Sequence, residues 1–323
     1  MDILTALQVF AACVVSVALL FFSLAFVVNW FRFRRRVRPY RRYGFAAACV
    51  IIGFEILALT VSPGLLTGLS VVLVILIDAW VMVRTAAFTN VGIYYSMRLG
   101  HSGFPLFMRR FPPRPEPIAG EPPAAAPIAQ TSSEAPAPAE ASALVAPAAL
   151  AIIEPPRQHA LQPDVTPRQA LLAASAVAAG AAAFTAILFT LTSPRMSEFV
   201  RSVTNFDAGQ VTVERLATPF MIVFVLEVAL SEEIIFRLGI QNFLASVFNW
   251  RERRYWAAIL FTSMLWTLAH VGAIEPWWVK PAQIFPIGLA LGWLYWRYGA
   301  ESSILAHGLF NLVALLLTPT LIT

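Results

Sequence analysis

Apolar runs long enough to cross a bilayer alternate with short basic blocks along this chain, and the alternation is broken once. Taking about 20 apolar residues per crossing, the pattern predicts spans near 5–30, 44–62, 65–83, 169–192, 217–236, 256–272, 281–298 and 302–321. The expected fold is an all-α polytopic membrane helix bundle of about eight transmembrane helices. The first span is not a convincing signal peptide, since it exceeds the usual length of the apolar region of one. Nothing basic precedes it, and "RFRRRVRPYRR" follows it directly, so it is expected to remain as an anchor. Those arginines fix the first loop in the cytoplasm. Counting crossings then puts "RERR" (251–254) on the same side and both termini outside.

The break falls at residues 102–167, which hold 15 of the 23 prolines among Ala, Glu and Ser without helical periodicity. Such a composition reads as a disordered cytoplasmic linker, a passive tether or a docking segment. It divides the chain into an N-terminal three-span unit (1–101), the linker (102–167) and a C-terminal membrane domain (168–323).

Composition agrees with the pattern. Of 323 residues 59% are hydrophobic and 13% charged, which excludes an ordinary soluble domain. The net charge of +5 sits in loops between apolar runs, so positive-inside topology accounts for it and no nucleic-acid partner is expected. The two cysteines, Cys13 and Cys49, both lie in apolar runs and suggest neither a disulfide nor a thiolate metal site.

Charges inside the spans carry the chemistry. "ALSEEIIFRLGIQ" (229–241) ends an apolar run with two glutamates and an arginine. On a helix turning 100° per residue, Arg237 lies about 40° from Glu233 but about 140° from Glu232. Arg237 therefore neutralises Glu233 and leaves Glu232 without a cation. An unpaired carboxylate facing a bundle interior suits a general base, and a purely structural network is an equal alternative. The next span supplies His270 in "SMLWTLAH", and the last supplies His307 and Asn311, four apart on one face, in "HGLFN". A turn near 250–254 brings Glu232 and His270 level on antiparallel helices. Gly288 and Gly292 form a GxxxG face, and "AASAVAAGAAA" lines the fourth span, both read as packing surfaces. Glu55, Asp78 and Glu227 are further membrane acids, read as polar glue or left without a role.

The set "EEIIFR", "WTLAH" and "HGLFN", with "GLALGWLYWRYGAESSILAH", resembles the CPBP family of CAAX proteases and bacteriocin-processing enzymes, which includes the type II CAAX prenyl endopeptidases. The resemblance covers about residues 216–321. Trp266 stands where the family's second motif usually begins with Phe. The resemblance implies an intramembrane glutamate-type endopeptidase: Glu232 with His270 activates water, His307 and Asn311 stabilise the oxyanion, and Glu233, Arg237 and Trp266 support them. Its substrate would be a membrane-associated protein or peptide, with or without a lipid modification. Its place would be the bacterial inner membrane. No cofactor is expected, and if a metal is used, zinc on Glu232, His270 and His307 is the alternative. A non-proteolytic scaffold of the same fold and a small proton-coupled transporter are the other classes compatible with these residues.

Overall fold

The computed structural model describes residues 3–61, 68–101, 103–110, 165–197 and 219–322. Most of the 102–167 linker, and the side chains of Glu55 and Asp78, fall outside the described residues. The fold is an all-α membrane bundle. The N-terminal helices are α1 (Ile3–Arg32), the short α2 (Arg34–Val37), α3 (Arg41–Val61), α4 (Gly68–Arg98) and α5 (Pro105–Arg110). The C-terminal ones are α6 (Pro167–Thr192), α7 (Pro219–Glu232), α8 (Asn242–Val247), α9 (Tyr255–Leu268), α10 (Val279–Tyr298) and α11 (Ala300–Leu321). Between α7 and α8 the chain runs on as a π-helical segment, Glu233–Gln241. A two-residue antiparallel pairing joins β1 (Arg195–Met196) to β2 (Ile274–Glu275), with Arg195 opposite Glu275.

Three helices among the described residues are long and apolar enough to cross a membrane: Gln8–Arg32, Pro167–Thr192 and Ala300–Leu317. The sequence pattern predicts eight. That number is not tested by the described residues alone; within them, α9 has only 14 residues, short of the roughly 20 that a crossing needs. α4 runs to Arg98, well past the predicted end near residue 83, and its C-terminal part is buried in protein. Lipid-facing chemistry is plain on α1, where Phe10, Val17, Phe21 and Phe31 are all largely exposed, as expected where the solvent is hydrocarbon.

Local signals explain the element boundaries. Thr166 caps α6 in a full capping box with Gln169, and Pro167 occupies the first turn, where its missing N–H costs nothing. Along α6 the buried positions Ala170, Ala174, Ala178 and Ala181 recur every four residues or so and give α11 a flat surface to pack on. On α10, a Cβ at Gly292 would stand 2.7 Å from Ile259 and one at Gly288 3.1 Å from Ser263, so this glycine face seats α10 directly on α9.

The N-terminal helices are packed into the same core. A Cβ at Gly92 of α4 would lie 2.6 Å from the carbonyl oxygen of Leu238, and one at Gly239 would run into the Phe88 ring. Phe26 of α1 stacks on Phe88 at 4.2 Å, and both Phe22 and Phe26 reach Phe243. The π-helical segment is thus clasped by α4 on one side and by α9 and α11 on others.

Candidate active site

Glu232 ends α7 and Glu233 opens the π-helical segment, whose wider turn re-aims the side chains that follow. The sequence reading treats 217–249 as one regular helix. The structure corrects this, yet keeps the pairing inferred from it: Arg237 Nε lies 3.7 Å from Glu233 Oε2, with both side chains sealed from solvent. Arg237 also donates to Thr262 Oγ1 (3.3 Å) and lies 5.5 Å over the Trp266 ring. A polar chain extends this support. Thr262 donates to Gln241, Gln241 donates to the Tyr255 hydroxyl, Tyr255 donates to Asn242, and Asn242 donates to Tyr295.

Glu232 behaves differently. Its side chain is 23% exposed, against 1% for Glu233. Trp266 Nε1–H donates to its Oε2 at 2.8 Å. His270 Nε2 stands 4.0 Å from Oε1, and His307 Nε2 3.6 Å from Oε2. The indole of Trp266 separates the two imidazoles, with ring centroids 5.1 Å from His270 and 5.3 Å from His307.

The outer nitrogens of both histidines are committed. His270 Nδ1–H donates to the Trp266 carbonyl at 2.8 Å, and His307 Nδ1 pairs with Glu233 Oε1 at 3.0 Å. In those tautomers each Nε2 carries a lone pair. A carboxylate and two imidazole lone pairs therefore converge on one small volume. Such a trio accepts either a water, which donates a hydrogen to two of its members, or a cation.

Asn311 lies one turn beyond His307, but its amide donates to the Val225 carbonyl at 3.3 Å. Of the seven residues named from the sequence, Glu233, Arg237, Trp266, His270 and His307 gather with Glu232, and the described contact of Asn311 is with α7. Glu227 accepts from Ser231 at 2.6 Å on the preceding turn and interacts electrostatically with Glu232.

One residue of this neighbourhood escaped the sequence reading. Lys280, in the first turn of α10, interacts electrostatically with both Glu232 and His270. Its Nζ donates to Gln283 at 2.9 Å, and Gln283 in turn donates to Thr185 of α6 at 3.0 Å. A signal was available: Lys280 is the only lysine in the chain, against 22 arginines.

Comparison with known proteins bears on the same stretch. Residues 214–313 match the family model for type II CAAX prenyl endopeptidase Rce1-like proteins. Over 86 residues the chain is 30% identical to the sporulation-killing factor biosynthesis protein SkfC of Bacillus subtilis (strain 168), a match covering 26% of this chain and 16% of that protein. The chain thus spans about 16% of the length of the curated relative it matches. No solved structure matches. Glu232, Glu233, Arg237, Trp266, His270, Lys280, His307 and Asn311 all fall inside residues 214–313, the stretch of this integral membrane protein that is similar to the Rce1-like type II CAAX prenyl endopeptidases.

Proposed function

We propose that the protein is an intramembrane endopeptidase that hydrolyses a peptide bond in a membrane-associated protein or peptide. One observation carries this reading: Glu232 and His270 offer two acceptors 4.0 Å apart, partly open to their surroundings, on a base of sealed residues. A water between them donates one hydrogen to each and turns its oxygen towards a substrate carbonyl. Glu232 takes the proton as the water attacks, and returns it to the leaving amine when the tetrahedral intermediate collapses. Glu233, Arg237 and Trp266 hold Glu232 and His307 in position. His307 and Asn311 are the oxyanion donors. His307 serves so once Nε2 gains a proton, and Asn311 through the amide hydrogen not directed at Val225. Lys280 adds a positive charge beside the same carbonyl.

The converging lone pairs also favour a second reading. Each histidine has its Nδ1 on an oxygen and its Nε2 free, which is the arrangement that supports metal-binding imidazoles. The separations from Glu232 are 3.6 and 4.0 Å, against about 3.4 Å between ligands of a tetrahedral zinc with bonds of about 2.0–2.1 Å. No group of three such side chains among the described residues is placed to hold a metal as it stands, so Glu232, His270 and His307 would be the ligands only once the Trp266 indole between the imidazoles moved aside. Zinc bound there would lower the pKa of an attached water and polarise the carbonyl.

The membrane domain of residues 168–323 is the catalytic unit, residues 1–101 its N-terminal buttress, and 102–167 a cytoplasmic tether in a bacterial inner-membrane protein. A scaffold or transporter reading leaves the three convergent acceptors without a task. The test is comparative peptidomics of cells carrying the wild type or Glu232→Gln, followed by assay of the purified protein on the peptide so found. Glu232→Gln should lower turnover by a factor of roughly a hundred or more while melting like wild type. Full activity in purified Glu232→Gln overturns the assignment. Stoichiometric zinc whose chelation reversibly abolishes cleavage selects the metal reading over the glutamate one.

A further inference from the structure

Between α1 and α3 the chain carries seven arginines in eleven residues, Arg32 to Arg42, and all of them are exposed. Orientation in the membrane needs a bias of positive charge in this loop, but it needs no particular arrangement. The arrangement here is fixed. The loop is folded into α2 and a following 3-10 turn (Arg38–Tyr40). Val37, with no exposed surface, pins it to the bundle so that the guanidinium groups fan outwards. Arg36 donates to the Tyr94 hydroxyl at 3.2 Å, and Arg42 lies 4.9 Å over the Tyr43 ring. These contacts hold forks that would otherwise be loose.

A second basic turn joins the first. Tyr94 and Arg98 are one turn apart on α4, and Arg251 donates to the Arg98 carbonyl at 3.5 Å. The turn that carries Arg251, Arg253 and Arg254 belongs to the C-terminal domain, and its arginines are exposed too. Residues 3–54 contain no aspartate or glutamate; Glu252 is the acid within the second turn. The surface sits at a membrane boundary, because Phe31 and Phe45, on either side of the arginines, are 68% and 63% exposed. Exposed phenylalanines belong against acyl chains, so the arginines beside them lie where hydrocarbon gives way to headgroups.

We propose that this surface is a binding site for the phosphodiester headgroups of anionic lipids, which bridge the 32–42 segment to the 251–254 turn and so clamp the N-terminal helices onto the C-terminal domain. Guanidinium forks match phosphate oxygens in pairs, and a headgroup belongs at the depth that the flanking phenylalanines define. A phosphate free in solution offers the same oxygens without the acyl chains.

The probe is phosphatidylglycerol added to the full chain in neutral detergent, with phosphatidylcholine and inorganic phosphate as the comparison arms and the melting temperature as the readout. Phosphatidylglycerol should raise the wild-type melting temperature by at least about 4 °C. The rise should shrink between roughly 50 and 500 mM salt. It should vanish in Arg34→Gln/Arg35→Gln/Arg41→Gln and shrink in Arg253→Gln/Arg254→Gln. None of these residues belongs to the active-site cluster, so the lipid-free variants should melt and cleave like wild type. An equal rise with phosphatidylcholine, a full rise retained in the triple variant, or the same rise with inorganic phosphate alone would each overturn the lipid assignment.

Discussion

Replacing Arg237 probes the support of the site more directly than replacing any group that handles substrate. Arg237 has no exposed surface, and in Arg237→Ala the carboxylate of Glu233 loses its guanidinium partner at 3.7 Å in a place water does not reach. Breaking a buried pair by removing one member costs about 3–5 kcal/mol. The lost bond to Thr262 adds about 1 kcal/mol, and the vacated volume adds more. Glu233 keeps His307 Nδ1 at 3.0 Å, which recovers part of that loss. The net expectation is about 4 kcal/mol for Arg237→Ala and about 3 kcal/mol for Arg237→Met, which refills most of the space. At about 2–4 °C per kcal/mol, the methionine variant should melt about 10 °C below wild type in detergent. Glu233→Gln/Arg237→Met removes both charges, so it should recover most of the difference, as buried pairs replaced together often do. Tryptophan fluorescence during a thermal ramp, run on all three variants, gives the comparison. If Arg237→Met melts within about 2 °C of wild type, or the double variant is no better than the single, the pair is not a buried ionic support and the reasoning fails.

Two further expectations concern packing and pH. Gly92→Ala drives a methyl group to 2.6 Å from the Leu238 carbonyl, and the overpacking of about 1–3 kcal/mol should exceed the gain of about 1 kcal/mol in helix propensity; a melting temperature at or above wild type would show that α4 does not clasp the π-helical segment so closely. His101, in the loop after α4, is buried against Tyr255, and desolvation lowers its pKa from 6.5 to about 4. Because the unfolded chain takes up this proton first, stability is intact above pH 6.5 and falls as pH drops towards 4, by up to about 3 kcal/mol; melting curves across that range should slope less in His101→Gln, and an identical slope would refute the assignment.

How legible these features were in the sequence differs from residue to residue. Glu233 and Arg237 could be paired from spacing because a separation of four brings side chains together on an α-helix and, here, on the π-helical turn as well. The π-helical turn itself could not be read. Nothing in "EIIFRLGIQ" forbids a regular helix; the clasp by Gly92 and Phe88 is tertiary, and local propensity does not report it. Convergence of Glu232, His270 and His307 was readable as helix register, since each sits within a span that enters from the same side. Their tautomers were not, because the partners that set them, the Trp266 carbonyl and Glu233 Oε1, are distances and not spacings. The number of spans is harder to read, because hydropathy scores short helices such as α9 together with the loops beside them.

A lysine that has no other lysine in the chain is also a chemical address. Amine-selective acylating reagents find only Lys280 and the chain's N-terminus on this protein. Lys280 is tied to Gln283 and interacts electrostatically with Glu232 and His270, so the rate at which it is acylated measures traffic into the cluster. Reagents that partition into the bilayer and reagents confined to water then compete for one nitrogen, and their relative rates report by which route, lateral or aqueous, a small molecule arrives.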